Sequence, residues 1–139
     1  MAYLIRIFPE HDLAYIRYSG MASLDDYISV VEEYPRHPDF RLGQKNLIDL
    51  THLEGIERDY TRIMALQAKI AEYATRAPSE IMSVVVAPTP VAREATQIVF
   101  RSWQDLDSPI LRRVVPSMEE ACDLLGIEEE TLEGLLSSV

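Results

Sequence analysis

The chain has 139 residues, of which 47% are hydrophobic and 26% charged, with a formal net charge of −10 and one cysteine. That length carries one domain with a sizeable core and is short for two. The composition is globular rather than disordered, the acidity disfavours nucleic acid and anionic membrane surfaces, and one cysteine excludes an intramolecular disulfide.

The first residues, Met1-Ala2-Tyr3-Leu4, lack the basic start and apolar block of a signal peptide. No apolar run approaches the ~20 residues that span a bilayer, so a cytoplasmic chain without a membrane span is expected. Residues 3–8 and 13–18 are strand-like and joined by Pro9-Glu10-His11-Asp12, which predicts a hairpin. Ser19-Gly20 is expected to break the second strand. Ser23, with Asp26 three positions on, forms a capping-box signature at a helix start. Leu24, Tyr27, Ile28, Val31 and Tyr34 then share one helical stripe, and Pro35 ends it.

A charged loop over residues 36–43 leads to a short apolar run, Asn46-Leu47-Ile48-Asp49-Leu50, of the kind found in strands buried on both faces of a parallel sheet. After a second loop, Asp59 is placed to cap a long helix over residues 59–77. Its apolar positions are Tyr60, Ile63, Met64, Ile70, Tyr73 and Ala74, with Ala65, Leu66, Ala68 and Ala71 between them. One stripe against a sheet needs less apolar surface than this. The surplus predicts a homodimer through Ile63, Leu66, Ile70 and Tyr73.

Residues 81–87, Ile-Met-Ser-Val-Val-Val-Ala, predict the central strand. Thr89-Pro90 is a strong helix start, and Ala92, Ala95, Val99 and Trp103 fit one face of that helix, with Ile98 beside them. Residues 110–115 predict the last strand, and the pair Arg112-Arg113 places it at an edge. Ser117 with Glu120 caps a helix whose apolar face is Met118, Ala121, Cys122 and Leu125, closed by Gly126. Residues 1–127 thus read as one domain, and residues 128–139 as a short acidic amphipathic helix or tail.

The order β-β-α-β-α-β-α-β-α predicts an α/β fold: a mostly parallel five-stranded sheet, an opening antiparallel hairpin and flanking helices. A glycine before a serine-capped helix (Gly20, Ser23), a strand ending Leu47-Ile48-Asp49-Leu50, and a late Glu119-Glu120-Ala121 helix reaching Leu125 resemble the SpoIIAA-like domain. This is the fold of bacterial anti-sigma-factor antagonists and STAS domains. The resemblance is closer to a poorly characterised bacterial branch, covers residues 3–127, and implies fold more than function. In the switch members a phosphorylated serine opens the second helix, usually within Asp-Ser-Ser-Gly. The aligned Glu57-Arg58-Asp59-Tyr60 keeps an acidic residue but neither serine nor glycine, and the nearest hydroxyls are Thr51 and Thr61. The phosphoswitch is not carried over.

Asp49 lies at the carboxyl end of a buried strand, where open α/β sheets place ligands. With Glu10 and Asp12 it suggests an aspartyl-phosphate receiver, but a receiver needs a lysine after the last strand, and Pro116-Ser117 stands there. A capped or paired carboxylate is the better reading, and Thr51 reads as a strand-end hydroxyl on a turn amide. Cys122, on an apolar helix face among acidic neighbours, reads as a buried small side chain. His11, His37 and His52 occupy separate loops without metal-ligand spacing, although Glu54 lies two residues from His52. No glycine-rich phosphate loop or Gly-x-Ser-x-Gly elbow is present. Of seven tyrosines, Tyr27, Tyr34, Tyr60 and Tyr73 fall on helix faces, either packed with wet hydroxyls or lining a pocket for a small apolar ligand.

These readings name no catalytic, cofactor-binding or metal-binding residue and no cofactor. They leave a candidate functional loop at Asp49, Thr51 and Glu57. The expectation is a non-enzymatic regulatory domain acting through protein contacts as a homodimer. The alternative is a module of the same fold that binds a small apolar molecule or lipid.

Overall fold

The computed structural model describes residues 2–76, 80–103 and 110–137. Its five strands lie in sequence order across one sheet. Strand β1 (Tyr3–Phe8) is antiparallel to β2 (Leu13–Ala22), and β3 (Lys45–Ile56), β4 (Ile81–Val86) and β5 (Ile110–Val115) follow, each parallel to the one before. Helices α1 (Leu24–Glu33), α2 (Tyr60–Ala74) and α3 (Pro90–Trp103) connect the strands, and α4 (Met118–Leu125) and α5 (Glu129–Ser137) follow the last. The α/β class, the antiparallel opening and the edge position of β5 are as expected. The hairpin turns through a 3-10 turn at Pro9–His11, closed by Asp12 at φ 52°.

The caps form as their spacing dictates. The Ser23 hydroxyl accepts from the Asp26 amide at 3.1 Å, and the Asp26 carboxylate accepts from the Ser23 amide at 3.0 Å. Thr89 accepts from Ala92 N–H at 3.1 Å, Asp59 from Arg62 N–H at 3.2 Å and Ser117 from Glu120 N–H at 3.2 Å. Gly126 takes the left-handed conformation, φ 73°, that ends α4.

Three expectations change. Ser19-Gly20 does not end the second strand. Gly20 takes φ 67°, the register shifts on either side of it, and β2 runs on to Ala22. Its partner β3 likewise continues to Ile56, although β4 pairs with it only from Asn46 to Asp49. The expected loop carrying Thr51 is therefore a two-stranded ribbon beyond the main sheet. Its pattern was present in the chain, since Leu53 is buried between exposed His52 and Glu54, but Gly55 masked the alternation. Glu57 follows the ribbon, its amide bonded to Ala22 O at 3.1 Å.

The second change is at the C-terminus. Leu132 of α5 is 0% exposed and belongs to the same core cluster as Leu47 and Val84, with Leu135 and Leu136 packed against it. Arg6 donates to the Leu136 carbonyl at 3.1 Å. Residues 129–137 thus form the helix of the two alternatives, and its Leu132 joins the core that residues 1–127 were expected to complete alone.

The third change concerns α2. Its buried stripe is Ile63, Leu66, Gln67, Ile70 and Ala71, while Tyr60 and Met64 are exposed. Ile63 (2% exposed), Leu66 (8%) and Ile70 (8%) are consumed inside a single chain. That burial leaves little of these three side chains for a partner, and the Tyr73 side chain lies outside the described residues. The spacing 63-66-67-70-71 is an ordinary helical stripe, disguised because a glutamine occupies its centre.

Side-chain alternation sorts the core onto two sides of the sheet. Leu13, Tyr15, Leu47, Val84, Val86 and Val115 meet Ala121, Cys122 and Leu125 of α4 and Leu132 of α5. On the other side Leu50, Val85 and Ala87 meet Ala92 and Ala95 of α3. Above them Leu24 of α1, Ile63 and Leu66 of α2 and Ile98 of α3 form a separate cluster. Helix α3 packs on β3, whereas α2 packs against α1 and α3 as a roof.

Candidate functional site

Beneath that roof lies a cavity of about 170 Å³. Ile16, Ile48 and Val85 of the sheet form part of its floor. Tyr27, Val30 and Val31 of α1, Tyr34 just after it, Ile63 and Ile70 of α2, and Ala95 and Thr96 of α3 form walls and ceiling. The exposed residues Arg41 and Glu57 also line it, so it reaches the surface. An apolar cavity of about 150 Å³ holds one benzene ring and stays dry when empty, which sets the scale of molecule that fits.

Polar groups in and beside the lining are mostly committed to the protein. Tyr34 Oη donates to Gln44 Oε1 at 2.7 Å, and Asn46 Nδ2 donates to Gln44 O at 2.9 Å. Thr96 Oγ1 donates back to Ala92 O at 2.8 Å. The Tyr34 ring stands edge-on to Phe40 with centroids 4.8 Å apart, and Tyr18 meets Tyr27 edge-on at 6.5 Å. Gln67, 0% exposed, donates through Nε2 to Tyr27 Oη at 2.6 Å, and its Oε1 has no hydrogen-bond partner. An orphaned buried carbonyl oxygen is costly, so this amide spaces α2 from α1 at an energetic penalty.

A polar row crosses the sheet at one part of the cavity. Asn46 of β3 pairs in register with Ser83 of β4, which pairs with Arg112 of β5. All three line the cavity. In the row two residues further along, Ile48 pairs with Val85, and both are apolar. Sequence reasoning missed this row and Gln67. The available signals were a serine inside a valine run and a glutamine at a buried helical position.

The residues singled out from the sequence fall elsewhere. Asp49 is buried on the α4/α5 side of the sheet. Its Oδ2 accepts from Tyr15 Oη at 2.6 Å, and its Oδ1 accepts from Thr51 N–H at 3.0 Å and Thr51 Oγ1 at 2.5 Å. Burial first, and the bond to Asp49 second, push the Tyr15 phenol above its ordinary value. Asp49 and Thr51 are therefore together as a structural pair, while Glu57 stands at the cavity instead, so the three do not make one site. Asp12 is held by Arg41 in a bidentate contact, 2.7 and 2.5 Å. Cys122 is buried, and burial together with Glu129, Asp123 and Glu133 pushes its thiol up. Of the helix tyrosines, Tyr27 and Tyr34 line the cavity and Tyr60 is exposed.

Among the described residues no group of three or more His, Cys, Asp or Glu side chains is placed to hold a metal ion, and no helix is long and apolar enough to cross a membrane. No protein-family model matches the chain, and no curated protein matches it.

Proposed function

We propose that this chain is a SpoIIAA-like domain that binds a small apolar molecule in the cavity between its sheet and helices α1 to α3, and acts as a carrier or sensor rather than a catalyst. The observation that carries the reading is the void itself. Protein interiors contain few spaces larger than a water molecule. An apolar occupant of matching size takes the apolar lining out of water and gains dispersion contacts with it. The competing regulatory reading drew on the resemblance, on the lack of a catalytic constellation and on surplus apolar surface of α2, and the burial of Ile63, Leu66 and Ile70 within the chain weakens the last of these.

Benzene is the simplest probe. Titrated into the ¹⁵N-labelled protein, it is expected to cause saturable amide shifts at Ile48, Val85 and Ala95 and to raise the melting temperature. No saturable shift up to the solubility limit, with an unchanged melting temperature, would refute the reading.

A further inference from the structure

The cavity meets the surface at two ends, and the chain closes them differently. We infer, resting on the apolar-ligand reading above, that the loop over residues 37–43 is the door of the cavity. Its latch is the Arg41–Asp12 ion pair, and the occupant enters and leaves through it.

Arg41 precedes β3 and Glu57 follows it, so these exposed lining residues mark opposite ends of the cavity. At the Glu57 end the chain is tied down by its own backbone. The Glu57 amide donates to Ala22 O at 3.1 Å, and Ser23 is fixed by both bonds of its capping box. Along the roof, Leu24, Ile63, Leu66 and Ile98 close the seam between the helices as one buried cluster. At the Arg41 end, the consecutive loop residues Phe40 to Gly43 all line the cavity. No residue from 35 to 43 is buried, and segments with so little burial open at the lowest cost.

The loop has two fixed posts and a hinge. Tyr34 and Gln44, both buried, stand on either side of it and bond to each other at 2.7 Å. Gly43, beside the second post, takes φ 93°, a conformation that a side chain would strain. Hinges are a few such residues that absorb a backbone rotation. Opening trades the turn bond from Gln44 N–H to Arg41 O, 3.0 Å, for water, while that from Phe40 N–H to His37 O stays within the loop. It also releases the long bond from Gln44 Nε2 to Asp39 O, 3.3 Å. The Phe40 ring against Tyr34 is the inner face of the door. Outside, Arg41 holds Asp12 of the β1–β2 hairpin through two bonds, 2.7 and 2.5 Å. Both side chains are about half exposed, so the pair gives way to water at little cost.

Fluorobenzene, followed by its ¹⁹F line shape with the full chain, reports how fast the cavity exchanges its occupant. Asp12→Asn removes the charge of the latch and keeps a residue that tolerates the left-handed φ of 52°. It is expected to raise association and dissociation rates together by about three- to fivefold, with Kd changed by less than about twofold. Added salt is expected to accelerate the wild type towards the variant, because exposed pairs are screened. Arg62→Ala, which releases Glu57 and Asp25 at the other end, is expected to leave both rates unchanged. Should Asp12→Asn lose its dispersed spectrum, Asp12→Gly accepts the same backbone and carries the test. Unchanged rates in the Asp12 variant, equal acceleration by Arg62→Ala, or a change in dissociation alone overturns the door while the apolar-ligand reading stands. Failure of fluorobenzene and benzene alike to bind overturns both.

Discussion

Val84 and Val85 are neighbours on β4, 0% and 4% exposed, yet they look into different interiors. Val84 points to the side where α4 lies directly on β4 and β5 and α5 closes the layer with Leu132. Val85 points to the side where three helices brace one another and a cavity remains below them. The difference lies in how the helices are supported. Helix α4 is short, and its small residues Ala121 and Cys122 let it sit close on the strands. Helix α2 is held by α1 and α3, with the Gln67–Tyr27 bond between α2 and α1. One side of the sheet is packed for stability, and the other trades packing for space.

The largest effect that bears on this contrast is a buried charge. Val85→Asp is expected to leave no folded soluble protein, because an unpaired carboxylate costs more in an apolar cavity than the domain can spare. Circular dichroism and a melting scan check it. An unchanged transition would mean that water entering from the surface solvates the Val85 face of the sheet, and the two sides would then differ in hydration rather than packing.

Adding volume sharpens the comparison. Val84→Leu overfills a closed interior and is expected to destabilise by about 1–3 kcal/mol. Val85→Leu places its extra methylene into existing space and is expected to be neutral or stabilising, while blocking benzene. Denaturant midpoints for the two variants give the answer directly. Equal losses would show that the cavity side is as tightly packed as its opposite.

A smaller effect is expected at Tyr15. Tyr15→Phe removes one of the bonds holding the buried Asp49 carboxylate, at a cost of about 1–2 kcal/mol. The wild-type phenol is held above its ordinary value, so the native state keeps a proton that the unfolded chain releases. That contribution is intact below about pH 10 and declines as the pH rises further. Stability measured from pH 8 to 11 should fall less steeply at the alkaline end for Tyr15→Phe than for the wild type.

The smallest effect is expected on the outside of the roof. Arg58 pairs with Glu94 of α3 and Arg62 with Asp25 of α1, all on the surface. Exposed pairs of this kind contribute about 0–1 kcal/mol. Arg62→Ala should shift the urea midpoint only slightly. A loss like that of a core residue would show that ion pairs, not Ile63, Leu66 and Ile70, hold α2 in place.

Local chemistry was legible in the chain wherever a cause acts within a few residues. Ser23 with Asp26, Thr89 with Pro90, and Gly126 mark helix ends because capping is settled within one turn. The valine run of β4 and the arginines of β5 give an interior and an edge strand, since burial on both faces excludes charge, but the central place in the sheet falls to β3 rather than to β4 as expected. Tertiary structure decided the rest. Gly20 reads as a break until β3 supplies a partner that lets the strand bulge and continue. Gln67 reads as a polar surface residue until α1 brings Tyr27 to it. Asn46, Ser83 and Arg112, far apart in the chain, become one row only when three parallel strands fix their register. The cavity has no local signature at all, because an unfilled volume belongs to the spacing between layers and not to any segment that bounds it.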